Sequence, residues 1–343
     1  MSRHITRIGV ALASLAASGF LASTALAADA DFYRGKRVTI SIGSGVGGGF
    51  DTYSRTVGQF LGRHIPGNPI VQPNNRTGAG GRVNANWLYT VAPQDGTVLG
   101  NTGPWLAMEP MWQTKGVKFD PVKFHWLISV NREVSSCLVN NKPGMKTLGD
   151  LKKNKIAMGS SGPFTPMTSD VRALNAIVGT KIKMVHGFKG TRNVMFAVEK
   201  GELDGSCGIW ISSLKSRYID YVKKGQVNVM IQMGLTSHPE FPNVPNIIDM
   251  VKSKEDRQAL ELVFGQLEMG RPFVAPPGTP LARVALLRKA FADTMKDPDF
   301  LAAAKKRRLE VRPLAGEKVQ ALVAKLYTTP PHVVKRVRAM LGR

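Results

Sequence analysis

The strongest constraint on this chain is a unit that recurs along it: a short β-branched run, a glycine- or serine-rich loop, then a helical pattern. First, Val38-Thr39-Ile40-Ser41-Ile42 reads as a strand, residues 43–49 as a loop, and Asp51 opens a helix with Tyr53, Val57, Phe60 and Leu61 on one face. Next, Ile70-Val71-Gln72-Pro73 leads to Gly78-Ala79-Gly80-Gly81 and a helix on which Val83, Trp87 and Leu88 share a face. Val98-Leu99 follows the turn Pro93-Gln94-Asp95-Gly96. In a second block from Trp126, Ser136-Cys137-Leu138-Val139 and Ile156-Ala157-Met158 read as strands, each followed by a polar loop and a helix. Thr147 is placed to cap residues 148–153. Thr165-Pro166 combines a hydroxyl at the N-cap with proline at the first helical position, for a helix that buries Val171, Leu174 and Val178 and stops at Gly179. Val227-Asn228-Val229-Met230-Ile231 is a late strand. Beyond Pro239, Pro276-Pro277-Gly278-Thr279-Pro280 repeats the Thr-Pro start before an amphipathic segment over 281–295, and Val333, Val337 and Leu341 mark a last helix. Such alternation implies α/β architecture with mostly parallel sheets and helices on both faces. Ligands of these sheets sit where the carboxyl ends of strands meet helix N-termini.

The N-terminus has the three-part layout of a secretory leader: Arg3 and Arg7, an apolar stretch through Leu26, and Ala25-Leu26-Ala27. The expected mature chain starts near Ala28, with no cysteine after the cut to carry a lipid. It is long enough for two cores. An exported chain could bridge its two cysteines, Cys137 and Cys207, or bury them as small apolar thiols. The net charge of +23, to which Arg3 and Arg7 contribute, favours an anionic partner. The basic residues are dispersed, and the tightest run, Lys305-Lys306-Arg307-Arg308, reads as a solvated helix face; no nucleic-acid module is visible.

Three loops offer binding chemistry. Residues 43–51, Gly-Ser-Gly-Val-Gly-Gly-Gly-Phe-Asp, contain a literal Gly-x-Gly-x-x-Gly, but the next strand ends in Pro73-Asn74-Asn75, without an acid for a ribose. A strand feeding such a loop and a helix presents backbone N–H groups to an anion, or simply turns tightly. Residues 74–81 again place glycines before a helix, and Gly159-Ser160-Ser161-Gly162-Pro163-Phe164-Thr165 adds hydroxyls. Together they suggest a cleft between two domains. Catalysis has no support: Pro163 breaks any Gly-x-Ser-x-Gly elbow, the six histidines lack metal-ligand spacing, and no acid pair stands out, so no cofactor, metal or catalytic residue is expected. By themselves Asp51 and Asp204 read as a helix-terminal capper and a turn residue.

At these loops the chain resembles the substrate-binding proteins of tripartite tricarboxylate transporters, the Bug family, from about Tyr33 to the C-terminus. The family's Gly-Gly-x-x-Asp loop corresponds to Gly47-Gly48-Gly49-Phe50-Asp51 and its helix arginine to Arg55. Its Asn-x-x-Gly-Ala-Gly-Gly signature corresponds to Asn75-Arg76-Thr77-Gly78-Ala79-Gly80-Gly81, with Thr77 where proline is usual. The Pro-x-Asp-Gly turn, the serine loop at 159–162, Gly201-Glu202-Leu203-Asp204 and Pro276-Pro277-Gly278-Thr279-Pro280 follow in order. The chain departs from the pattern at Pro163-Phe164-Thr165-Pro166-Met167, at His186-Gly187-Phe188 and at Gly205-Ser206-Cys207-Gly208-Ile209-Trp210, so no particular substrate is inherited.

The resemblance implies a two-domain, hinge-linked periplasmic binding protein of type II-like fold: residues 28–127 plus 240–343 as one domain, 128–239 as the other, and the ligand cleft between. It implies capture of a small carboxylate, delivery to integral membrane transporter subunits, no turnover, no nucleic acid and a monomeric state. Carried over, the ligand residues are Gly47, Gly48 and Asp51 facing Ser160, Ser161 and Thr165, with Asn75 and Ala79 nearby and Asp204 included. Trp105 and Trp210 either stack on a planar substrate or pack in the core or rim. The rivals are a ligand sensor for a signalling system, a periplasmic hydrolase and a polyanion binder.

Overall fold

In the computed structural model, which describes residues 31–112 and 115–342, the recurring units assemble into two sheets. The leader expected over residues 1–27 lies outside the described residues. The strands are β1 (Arg37–Ile42), β2 (Ile70–Asn75), β3 (Val98–Asn101), β4 (His125–Ser129), β5 (Ser135–Asn140), β6 (Ile156–Ser160), β7 (Ile182–His186), β8 (Gly205–Trp210), β9 (Val227–Met233), β10 (Pro272–Ala275) and β11 (Leu314–Ala315). The helices used below are α1 (Gly49–Leu61), α2 (Arg82–Thr90), α3 (Leu148–Lys153), α4 (Pro166–Val178), α5 (Thr191–Glu199), α6 (Lys254–Gly265), α7 (Leu281–Thr294) and α8 (Pro331–Met340).

One sheet has the order β11-β4-β10-β3-β1-β2 and the other β7-β6-β8-β5-β9. Both are mixed, where the alternation predicted mostly parallel sheets. β1 is parallel to β2 and β3, and β6 to β7 and β8, but β10 runs antiparallel between β3 and β4, and β5 antiparallel between β8 and β9. The cause is the chain path. It leaves the first sheet after β4, builds the whole second sheet, and returns through β10. The outgoing and returning segments run side by side: Glu133 N–H donates to Leu267 O (2.8 Å), Gly270 N–H to Asn131 O (3.0 Å) and Val130 N–H to Arg271 O (3.0 Å).

Local signals explain the helices. α1 buries Tyr53, Val57 and Leu61 against β1 and β2, the aliphatic Val57 and Leu61 each contributing ~1.5–3 kcal/mol. Thr147 and Asp150 form a capping box at α3, and Gly179, at φ 77°, ends α4. Three readings need correction. On α2 the inward face is Arg82, Asn84, Ala85 and Leu88, and Val83 points out. Arg82 is drawn in by Glu109, and Asn84 by Ser41, whose hydroxyl donates to Asn84 Oδ1 (2.5 Å). Thr165 is the N-cap of α4, but its hydroxyl donates to Gly162 O (2.9 Å) instead of capping. At α7 the N-cap is Pro280, and Thr279 Oγ1 is a buried atom without a partner. The run at 305–308 is exposed, as read.

Cys137 and Cys207 form a disulfide across neighbouring strands β5 and β8. It closes a separation of 70 residues, so reduction should lower unfolding free energy by about 2–4 kcal/mol; urea denaturation with and without reductant, and of C137S/C207S, checks this. A second expectation concerns Asp170 on α4, whose buried carboxyl accepts from Ser135 Oγ (2.5 Å). Burial pushes it up to about 7 from 3.8, against the lowering effect of Ser135. The folded state therefore keeps a proton that the unfolded chain releases, and stability falls as pH rises between those values, by on the order of 1 kcal/mol per pH unit. Asp170→Asn should flatten that slope in denaturation curves from pH 5 to 8.

Candidate functional site

The carboxyl ends of β1, β2, β6, β7 and β8 point at one cavity of about 690 Å³ between the two sheets. On the first-sheet side it is walled by the loop after β1 and by Thr77 to Gly81 after β2. On the other side it is walled by Ser161, Thr165 and Met167 after β6, by the loop after β7, and by Gly208 and Trp210 of β8. The walls touch along two seams. A side-chain carbon at Gly45 would lie 3.3 Å from Lys189 O, and one at Gly47 would lie 3.3 Å from Arg192 Nη1; on the second seam, one at Gly80 would lie 3.1 Å from Thr165 Cγ2. Arg217 reinforces the first seam by donating to Gly48 O (3.3 Å) and to the Thr52 hydroxyl.

The glycines are there for backbone reasons. Gly78, Ala79, Gly80 and Gly81 have φ of 134°, 45°, 68° and 98° in succession, a path that L side chains resist. Ala79 alone accepts that strain with a side chain, and it does so on the cavity wall. At Gly49 the reason is space: a Cβ there would come within 2.6 Å of Ser213 Oγ and 2.8 Å of Arg271 Nη2.

Of the residues expected on the ligand, Gly48, Ala79, Ser161 and Thr165 line the cavity. Gly47, Asp51, Asn75 and Ser160 stand directly behind that lining. Asp51 accepts from Gly47 N–H (2.9 Å), Arg55 Nε (2.9 Å) and Asn75 Nδ2 (3.0 Å), and Asn75 Nδ2 also donates to Ser44 O (2.8 Å). This knot pins the first glycine loop from its far side. Ser160 does the same for the second loop: its Oγ accepts from Gly162 N–H (3.1 Å) and shares hydrogen bonds with the Thr165 (3.0 Å) and Thr168 (2.8 Å) hydroxyls. Asp204 is elsewhere. It accepts from Ala157 N–H (2.8 Å) and Lys142 Nζ (2.5 Å), at the opposite end of β6 from the cavity.

The sequence reading missed the cations. Lys189, Arg192 and Arg271 line the cavity, and among the described residues no Asp or Glu does. Arg271 is 2% exposed. It pairs with the buried Glu133 (3.0 Å), donates to Ser212 Oγ (2.9 Å) and Ser213 Oγ (3.1 Å), and leaves its Nε without a partner. Its guanidinium lies 4.6 Å from the Phe50 ring and 4.4 Å from Trp210. Burial raises the Glu133 carboxyl, against the pull of Arg271 and of the donors Ser212 and Asn131. No signal in sequence links positions 133 and 271; they meet because one sits on each crossing segment.

Backbone donors complete the site. The first N–H groups of a helix have no intrahelical partner and carry its positive dipole end. α1 begins at Gly49, α4 at Pro166 with Met167 next, and α5 at Thr191, and all four of these residues line the cavity. Ser44 also lines it, and its hydroxyl is without a partner. The arrangement can desolvate and hold an anion. It presents no nucleophile paired with a base, and no group of three or more His, Cys, Asp or Glu side chains that could hold a metal occurs among the described residues.

Residues 55–337 match the model of the tripartite tricarboxylate transporter family receptor. No curated protein matches the chain in sequence. Among solved structures it is similar to the periplasmic binding protein BugD (19% identity, TM-score 0.72, covering 90% of this chain and 98% of that one). It is also similar to MatC from Rhodopseudomonas palustris with bound malate (19%, TM-score 0.67, 89% and 99%) and to R. palustris Rpa4515 with adipate (16%, TM-score 0.69, 90% and 97%). At these identities the likeness is one of fold.

Because Arg271 is buried with Glu133 as its counter-charge, Glu133→Gln should cost about 3–5 kcal/mol. A double variant, E133L/R271M, which removes both charges, should cost less than E133Q alone. Chemical denaturation of the three proteins decides.

Proposed function

The chain belongs to the tripartite tricarboxylate transporter receptor family, and from that premise we propose that it is a periplasmic receptor that captures a small carboxylate and delivers it to integral membrane transporter subunits, without chemical turnover. The observation that carries the reading is the cavity itself: N-terminal ends of three helices, two glycine loops, hydroxyls and three cationic side chains around a space with no acidic lining among the described residues. Carboxylate oxygens accept from such donors, and charge-assisted hydrogen bonds are about twice as strong as neutral ones. Two structures of similar fold hold malate and adipate, which supports an acid as the solute here.

Gly48, Ala79, Ser161 and Thr165 act on the ligand directly, and Gly47, Asp51, Asn75 and Ser160 act through the loops they hold. Asp204 is left out of the binding set. Residues 28–127 plus 240–343 and residues 128–239 form two domains that hinge about the paired crossing segments, closing along the two seams. Export depends on the leader-like residues 1–27, and the mature protein works as a monomer.

A thermal-shift screen of residues 28–343 against small carboxylates and their amides tests this. An acid at ~100 times its dissociation constant adds about 2.7 kcal/mol to the folded state, and its amide should add almost nothing. If amides stabilise as well as acids, or if no acid of any class shifts the ligand-stripped protein, the proposal fails.

A further inference from the structure

Resting on that reading, we propose that the solute is an aromatic carboxylate, with its acid group on the first glycine loop and its ring against a wall made by Phe50, Trp105, Phe188 and Trp210.

The cavity is chemically divided. Its exposed side carries Lys189 and Arg192, for neither of which is there an acidic partner among the described residues, together with the first glycine loop, behind which the unpartnered Ser44 hydroxyl is buried. Its buried side is made of rings. Phe50, Trp105 and Trp210 pack edge to face on one another, with centroids 5.4–6.1 Å apart, and Met167 and Phe188 line the same space. Arg271, the one cation lining that side among the described residues, is ion-paired with Glu133, so a second carboxylate there would compete with Glu133 for it. Trp105 spends its indole N–H on Gly80 O (3.0 Å) and offers the solute carbon surface alone. Trp210 is 4% exposed and lines the cavity, yet its indole N–H donates to no described protein atom. Its nitrogen is not sealed from solvent, so within the cavity a solute's ring substituent or π-face can replace water as its acceptor.

Size points the same way. A cavity of about 690 Å³ lies within the range of roughly 300–1,000 Å³ in which pockets bury drug-sized molecules. A four-carbon acid would leave most of it to water against aromatic surface. A ring fills it, and ring–ring contacts in offset or edge-on geometry add attraction beyond the area they bury. Two of the four rings, Phe188 and Trp210, lie in segments that depart from the family pattern, at 186–188 and 205–210, while Phe50 belongs to the first glycine-loop motif and Trp105 follows β3.

The test is isothermal titration of the mature, ligand-stripped protein with benzoate, phenylacetate and 3-phenylpropionate, with their cyclohexyl counterparts, and with malate and adipate, while tryptophan emission is followed. The expected result is that the tightest ligand is aromatic, binds at least tenfold more tightly than its cyclohexyl counterpart and than either diacid, and quenches emission. Trp105→Leu, at a half-buried position, should collapse the aromatic-to-cyclohexyl ratio to within about twofold while the protein still melts cooperatively. If cyclohexyl acids bind as well as aromatic ones, or if malate or adipate binds most tightly, the inference falls and the receptor reading stands. If no acid binds at all, the receptor reading falls and takes this inference with it.

Discussion

The fold depends on one buried ion pair. Glu133 lies on the segment by which the chain leaves the first sheet, and Arg271 on the segment by which it returns. Removing two charges from water is expensive, and their attraction offsets that only with good geometry and further hydrogen bonds. Here Ser212, Ser213 and Asn131 provide those bonds, and the rings of Phe50 and Trp210, packed against each other, both lie against the guanidinium. The pair thus fixes the crossing segments, the start of α1 through Gly49, and the end of β8 through Trp210 in a single arrangement. It acts on the cavity by holding its floor.

Around that floor the work is divided between residues that touch the cavity and residues that shape the loops touching it. Backbone N–H groups are rigid donors, because the helix behind each fixes its direction. They need loops without bulky side chains and something to stop those loops collapsing inward. The Asp51–Arg55–Asn75 knot does this for the first loop, and the Ser160–Thr165–Thr168 hydroxyl cluster for the serine loop. Motif residues placed behind the lining are thereby accounted for as its supports.

Much of this was legible in the sequence because it is local. The strand–loop–helix units, the Thr147 box, the Gly179 stop and the glycine loops all declare themselves within a dozen residues. What stayed hidden depends on the path of the chain. Strand β10 is four residues long, with a proline at its start, and gains its place only between β3 and β4. That insertion makes the sheet mixed and brings Arg271 to Glu133. Periodicity misjudged α2 because Arg82 and Asn84 point inward to distant partners, a pull that outweighs the apolar stripe. The cross-strand disulfide was open for the same reason, since 70 intervening residues carry no distance.

The two seams have a kinetic meaning. Gly45 and Gly47 meet Lys189 and Arg192 on one side of the cavity, Gly80 meets Thr165 on the other, and Arg217 reaches across to Gly48 and Thr52. Seam contacts that hold across an occupant add to its residence time whatever its chemistry, and whatever pries them apart hastens release without having to outcompete the protein for the solute.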